Sequence, residues 1–536
     1  MNCARYLIIQ RCTNRTRGKV KFAFCLLILG FLFSGCKQEE AKRPNILFAI
    51  ADDASYPHMG AYGTEWVVTP AFDYVAKNGL LFERAYTTNA KCSPSRATIL
   101  TGRNSWQLEE ACNHMAFFPE KFRTFAEALT DAGYFVGHTG KGWAPGIAQI
   151  NGQLRNLIGP AFNLHSTDPP ASFVSSNDYQ QNFATFLDWV PSGSPWFFWY
   201  GSYEPHRAYD FGVGLGKEKS LTDVEVPPYW PDTDTIRTDM LDYAYEIEYF
   251  DSHLDSMLKI LDERGELENT LIVVTADNGM PFPRVKGQVY EMDHHLPLAM
   301  MWPQGIVEPG RRVNEFVSFS DFAPTFLEVA GIEAALSGMQ PIIGNSLQPL
   351  LFAEEDRNRP DFMLLGKERH DMGRPNDEGY PVRAIIKDDY LYSVNFKPDR
   401  WPAGNPETGY LNCDGSPTKT FILQLNRKGL NQEFWQLNFG KRPEEELYNL
   451  KDDPYCMSNL ANEERLIGLK GDFKDLMWKE LSAQADPRIM GNGKIFDEYP
   501  AFSESSDFYS RWLNGENPPS GWVNDSDFEP VEHITN

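Results

Sequence analysis

The sequence predicts an α/β chain: a mostly parallel central sheet sandwiched between helices, followed by a smaller α+β unit. Three observations carry this. Asn45–Ala51, Trp196–Gly201 and Leu271–Thr275 are continuous apolar runs, as expected of strands buried on both faces. Helical segments lie between them, and strands alternating with helices imply a parallel sheet with helices on both sides. After about residue 353 the texture changes to short strand-like segments separated by loops rich in Gly, Pro and Asn.

Residues 1–35 read as a leader. Arg5, Arg11, Arg15, Arg17, Lys19 and Lys21 precede an apolar run from Phe22 to Phe33, which ends in Ser34 and Gly35. The run is too short to cross a bilayer and has the layout of a secretory signal peptide. Phe33-Ser34-Gly35-Cys36 resembles the lipobox of bacterial lipoproteins, so Cys36 is expected to be lipidated. That makes the chain an exported bacterial lipoprotein, held at a membrane by its lipid alone and facing the periplasm or the cell surface. Residues 36–353 form the expected catalytic α/β domain, 354–497 an α+β subdomain, and 498–536 a polar, acidic wrapping tail.

Within the first domain, Asn45–Ala51 ends in Asp52-Asp53, and Leu271–Thr275 leads to Asp277-Asn278. Carboxylates there sit where open α/β sheets bind ligands. Thr69 and Pro70 open a helix that Gly79 ends. Thr124 and Glu127 are spaced as a capping box for a helix ending at Gly133. Ile236–Arg264 carries Met240, Tyr243, Ile247, Phe250, Leu254, Met257, Leu258 and Leu261 on one helical face. In the second unit, Ala384–Ile386, Tyr390–Val394 and Thr420–Leu423 read as strands.

Composition narrows the function. With 13% aromatic residues the chain can build a folded core, and a net charge of −24 leaves no basic surface for nucleic acid. The leader carries positive charge only, so its removal makes the chain more acidic still. Any anionic substrate must meet positive charge supplied inside the site. Cys92, Cys112, Cys413 and Cys456 are too few for a disulfide framework, and no C-x-x-C pair suggests zinc.

Cys92-Ser93-Pro94-Ser95-Arg96, continuing to Leu100-Thr101-Gly102, matches the C-x-P-S-R-x-x-x-L-T-G signature of the type I sulfatases at every fixed position. The chain resembles that family over residues 43–480. The resemblance implies an alkaline-phosphatase-like sandwich and a sulfuric ester hydrolase. It also implies that a separate formylglycine-generating or maturase enzyme oxidises Cys92 to formylglycine (3-oxoalanine). The hydrated aldehyde offers one hydroxyl to attack sulfur and a second through which sulfate is expelled without a second attack on sulfur.

Asp52, Asp53, Asp277 and Asn278 offer oxygen ligands only, which suit a hard cation rather than zinc. By resemblance the ion is calcium, bound also by the modified Cys92. Arg96 would face the nucleophile and the metal. Lys141, in Gly140-Lys141-Gly142, matches the family lysine on the sulfate; Lys286 stands where a second lysine or arginine is found; and His206 matches the histidine at the leaving oxygen. Many members carry a further histidine two residues after that first lysine. Here the position is Trp143, and His138 lies on the other side of Lys141.

Asp277-Asn278-Gly279-Met280-Pro281-Phe282-Pro283, with Tyr290 following, resembles the N-sulfoglucosamine sulfohydrolase branch and its bacterial relatives. The expected substrate is a sulfated polysaccharide or its oligosaccharides, such as ulvan, fucoidan, carrageenan or heparan, with N-desulfation as the alternative. Arg207, His294, His295, Glu368, Arg369, His370 and Arg383 are the candidates to read the sugar. A phosphodiesterase or phosphonate hydrolase of the same superfamily is a rival, hinted at by Asp293-His294-His295, although no Thr or Ser nucleophile matches. A non-catalytic glycan-binding lipoprotein is a second rival, disfavoured because the nucleophile and metal positions are all intact.

Overall fold

The apolar runs become neighbouring strands at the middle of a seven-stranded sheet. The structure is a computed structural model and describes residues 42–217 and 219–530; the leader and Cys36 lie outside the described residues. The strands of this sheet are β1 (Asn45–Ala51), β2 (Leu80–Phe82), β3 (Phe135–Gly140), β4 (Trp196–Gly201), β5 (Thr270–Ala276), β6 (Leu298–Met301) and β7 (Arg311–Val313), arranged in the order β7-β2-β6-β5-β1-β4-β3. β1 pairs in parallel with both β4 and β5, placing Ile46 beside Phe197 and Leu271. β3 is parallel to β4, and β7 to β2. Only β6 runs against its neighbours.

Every residue of β1, β4 and β5 is buried, and alternate side chains serve two cores. Leu47, Phe198, Tyr200, Ile272 and Val274 pack with α1 (Pro70–Lys77), α4 (Tyr179–Trp189) and the long α5 (Asp234–Glu263). Ile46, Phe48, Phe197, Trp199 and Val273 pack on the opposite face with α2 (Cys92–Thr101), α3 (Phe125–Asp131) and α6 (Phe322–Val329). Each such large side chain stabilises the fold by roughly 1.5–3 kcal/mol when fully buried.

The helix starts show which local signals survive. Thr124 caps α3 as predicted: its hydroxyl accepts from Glu127 N, and the Glu127 carboxylate accepts from Thr124 N. Thr69 does not cap α1 with its side chain. The free N–H groups of Ala71 and Phe72 instead donate to Asp251 of α5, each at 2.8 Å, so a tertiary partner replaces the local cap.

Downstream, β8 (Phe362–Lys367), β9 (Val382–Lys387), β10 (Tyr390–Asn395) and β11 (Glu445–Asn449) form a four-stranded antiparallel sheet. Thr420–Leu423, expected as a strand, lies within helix α7 (Pro417–Arg427). Ser416 caps it by accepting from Lys419 N, Pro417 opens its first turn, and Thr418, Lys419, Ile422 and Leu423 are buried. That spacing is one helical face, and Pro at the start favours the helix.

Gly201 closes β4 where a second chain segment comes very near. Lys141 N donates to Gly201 O at 2.7 Å, and a Cβ on Gly201 would lie 1.9 Å from Lys141 O. Gly201→Ala is expected to push the segment carrying Lys141 away and to destabilise the protein by about 1–3 kcal/mol. Thermal unfolding measures this; an unchanged Tm would contradict so tight an approach.

Candidate active site

Four adjacent parallel strands end at one edge of the sheet, and each delivers polar residues there. Asp52 and Asp53 follow β1, and Asp277 and Asn278 follow its neighbour β5. Lys141 follows β3, and the segment reaching His206 follows β4. Asp53 has φ 76°, a left-handed conformation that Asp tolerates better than most residues. It breaks the strand's alternation, so two consecutive carboxylates enter one site. Asp53 N donates to Asp277 Oδ1 at 3.1 Å, tying the two strand ends together. Cys92 opens α2 against them, its Sγ 3.9 Å from Asp53 Oδ1.

The carboxylates are buried and matched by buried cations. Lys141 Nζ lies 2.8 and 2.6 Å from the two Asp52 oxygens. Lys286 Nζ bridges Asp53 Oδ2 at 2.6 Å and Asp414 Oδ2 at 2.8 Å. Arg96, fully buried, places Nε 2.7 Å from Asp277 Oδ2 and Nη2 3.4 Å from Asp52 Oδ1. Its Nη1 donates to the carbonyls of Lys141 and Gly142 at 2.8 and 2.9 Å. His206, a third exposed, has Nε2 3.8 Å from Asp53 Oδ2.

These contacts decide the protonation states. Burial alone would raise the Asp52 carboxyl, but Lys141 and Arg96 outweigh it and hold it below the usual range. Burial would lower the Lys286 ammonium, yet Asp414 and Asp53 hold it well above its usual range. Asp277 is raised, because burial exceeds the pull of Arg96. Burial, reinforced by Asp52, pushes the Cys92 thiol well above its ordinary range, so an unmodified Cys92 is a protonated thiol.

The oxygen set passes a test for a hard cation. Ligand atoms of Asp52, Asp53 and Asp277 lie within 4.8 Å of one another. Asn278 donates Nδ2 to Asp53 Oδ1 at 2.7 Å, while its buried Oδ1 has no hydrogen-bond partner. A buried acceptor without a donor beside converging carboxylates fits a cation bound through oxygen. Among the described residues, every candidate metal cluster includes Asp52 or Asp53. Asp293-His294-His295 forms none: Asp293 accepts from Gln288 N, and His294 Nδ1 contacts Thr87 O.

Above these groups opens a cleft of about 550 Å³, lined by Asp52, Cys92, Lys141, His206, Lys286 and Arg207 among others. Of the sugar-reading candidates, Arg207 alone is on this lining. His295 sits between Tyr56 and Tyr86 and pairs with Glu291 at 2.7 Å. His370 is buried against Asn89, and Arg369 reaches the carbonyls of Asp497 and Pro500. Glu368 lies between Arg383 and Arg488, and Arg383 also pairs with Asp486 at 2.7 Å. Ionic and hydrogen-bonded packing below the surface occupies these side chains.

The cleft wall instead holds residues the motifs did not indicate. Lys91 and His114 both contact Asp371 at 2.8 Å, and Asp414 partners Lys286. The only signal for Lys91 is its position beside Cys92; Asp371 and Asp414 come from loops with no diagnostic spacing. Trp143, where the resemblance leads to the expectation of a histidine, donates its indole N–H to Ser93 O at 2.9 Å. His138 contacts Gly159 O at 3.2 Å and is not on the cleft lining.

A sequence model of the family described as Sulfatase matches residues 44–332. The chain belongs to the sulfatase family. It is 29% identical to an ulvan-active sulfatase of Formosa agariphila, over 78% of this chain and 72% of that one. It is 27% identical to the human N-sulphoglucosamine sulphohydrolase, over 88% and 95% of the two chains. Its fold resembles the phosphonate monoester hydrolase of Agrobacterium radiobacter, with TM-score 0.62, 17% identity, and coverage of 83% and 96%. The sulfatase is a sulfuric ester hydrolase on an alkaline-phosphatase-like sandwich with a smaller antiparallel sheet.

Arg96 joins two carboxylates and two carbonyls of this sulfatase with no access to water. Arg96→Met in the unmodified protein is expected to cost about 3–5 kcal/mol, because it strands buried charge. A fall in Tm by calorimetry checks this, and an unaltered Tm would mean the site tolerates the loss.

Proposed function

We propose that this sulfatase removes sulfate ester groups from a sulfated polysaccharide or its oligosaccharides, using a formylglycine made from Cys92 and a calcium ion held by Asp52, Asp53, Asp277 and Asn278. The observation that carries the reading is the meeting of Cys92 with three buried carboxylates and three buried cations at the floor of an open cleft. The ulvan-active and N-sulphoglucosamine relatives support a saccharide substrate. Formylglycine would supply a geminal diol whose two hydroxyls serve attack and release. Calcium would supply positive charge to a sulfate oxygen and to the nucleophile's hydroxyl.

The chain's own groups do the rest. Lys141 and Lys286 balance the charge on the sulfate oxygens as the S–O bond breaks. Their present partners, Asp52, Asp53 and Asp414, keep both ammonium groups charged for that task. His206, the more exposed of the polar groups here, gives a proton to the departing sugar oxygen. Arg96 fixes Asp52 and Asp277 as a rigid pair. Segment 354–497 acts as a second domain that brings Asp371 and Asp414 to the cleft. Export with a lipid on Cys36 would put the enzyme where polysaccharide is met, and a maturase would act on the Cys92 segment.

The test is release of free sulfate, measured by ion chromatography, from ulvan, fucoidan, carrageenan and heparan oligosaccharides. Release from one of them is expected, with Cys92→Ala lower by at least about 1,000-fold. Release only from N-sulfated glucosamine would move the reaction to N-desulfation. Turnover of phosphate diesters alone would overturn the sulfate reading.

A further inference from the structure

The cleft over Cys92 does not end at His206. A second hollow of about 640 Å³ lies against it, and Phe173 and Arg207 line both. Arg207 makes a fixed partition. Its guanidinium meets both Asp239 oxygens at 2.7 and 3.0 Å, and its Nε donates to Pro281 O at 2.7 Å. The rings of Tyr209 and Phe282 pack against it at 4.5 and 4.2 Å.

Aromatic side chains stand out of the surface along this path. Phe173 is 70% exposed, Phe211 in the second hollow 56%, and Tyr203 on the cleft 45%. Phe173 also has φ 71°, a conformation that disfavours a bulky residue and persists only where the surroundings impose it. The strain holds a phenyl ring over the junction of the two hollows and gains it no burial. Large apolar side chains grouped beside a catalytic cleft mark ligand contact.

The rest of the second hollow says what sort of ligand. Gln424 presents an exposed amide; Ser416, Thr420 and Asn524 line the hollow as well, with Ser416 Oγ accepting from Lys419 N, Thr420 Oγ1 donating to Asp527 and Asn524 Nδ2 donating to Thr420 Oγ1. Among the described residues the hollow's one cation is Arg207, whose guanidinium is held by Asp239 and Pro281 O. Asp239 is taken by Arg207 and Thr418, and Asp242 accepts from Gly212 N and Gly214 N. Among the described residues the hollow brings no ammonium group to meet a sulfate, whereas the cleft floor holds two, Lys141 and Lys286. A ring with apolar faces and hydroxyl edges suits the hollow; a sulfate group does not.

We propose that the second hollow binds the neighbouring sugar ring of the substrate chain, stacked on Phe173 and Phe211, while the sulfated ring occupies the cleft. The enzyme therefore reads at least two consecutive sugars, and the ring beside the sulfated one enters without a sulfate facing Ser416 and Asn524. This rests on the saccharide sulfatase reading above. Binding energy from the remote ring would then support turnover at the reacting one.

The test is kcat/KM on a size ladder, monosaccharide to tetrasaccharide, of the ulvan or heparan series that the matured full-length enzyme desulfates. The tetrasaccharide-to-monosaccharide ratio is expected to fall at least about fivefold in Phe173→Ala, the scale of one aromatic contact, and to be kept in Phe173→Trp. A wild-type ratio near one, or an equal loss on every rung, would overturn the subsite. Calorimetric binding of the desulfated tetrasaccharides of both series needs no turnover and gives a separate readout. Weaker binding by Phe173→Ala supports the subsite even if no sulfate is released; no binding, or equal binding by variant and wild type, overturns it. Absence of sulfate release from every rung by wild type would instead count against the sulfatase substrate reading.

Discussion

Three carboxylates without access to water, brought within reach of one another at the ends of two adjacent parallel strands, are the constraint on which the rest of the site depends. Asp52, Asp53 and Asp277 would repel strongly in so dry a place. Arg96, Lys141 and Lys286 are each placed to offset that repulsion, and each comes from a different element. The surplus acceptor, Asn278 Oδ1, is what a bound cation would satisfy. The architecture follows from the same requirement: only a parallel sheet delivers four strand ends, with their loops, to one edge.

The charge of the whole chain makes this local arrangement more telling. A chain with net charge −24 repels a sulfated polymer at long range, more so at low salt. Recognition must come from short-range groups, and the cleft concentrates its ammonium groups at the floor. The wall toward Phe173 carries aromatic rings, and its Arg207 and Asp239 pair with each other. A substrate carrying sulfate on one ring and bare hydroxyls on the next meets both kinds of surface in the right order.

Much of this was legible beforehand, for identifiable reasons. β1, β4 and β5 are buried on both faces, so their apolar runs are unbroken and their ends are marked by Asp52-Asp53, Gly201 and Asp277-Asn278. Cys92, the proposed nucleophile, is embedded in a motif with many fixed positions, which its resemblance to the sulfatase signature exposes. The helix over Thr420–Leu423 was obscured because four residues cannot separate a half-buried strand from one turn of a helix; Ser416 and Pro417 held the deciding signal. The proposed sugar contacts were not legible. Polar residues such as His370, in a loop, and Arg383, in β9, look alike in sequence whether they meet solvent, each other or a ligand. Asp371 and Asp414 enter the cleft only through long-range packing that no local pattern records. The cap of α1 failed for the same reason, since Asp251 reaches it from another helix.

The carboxylate cluster is proposed as a cation site in which Lys141 and Lys286 border the ion and its ligands. A crystal structure of the protein grown with calcium, read by anomalous scattering, tests it most directly. One peak is expected among Asp52, Asp53, Asp277 and Asn278, with oxygen ligands at about 2.3–2.6 Å and Asn278 Oδ1 turned onto the ion. No peak at saturating calcium, with Lys141 and Lys286 still closed on Asp52 and Asp53, would contradict it and leave the cluster a purely structural ion-pair network.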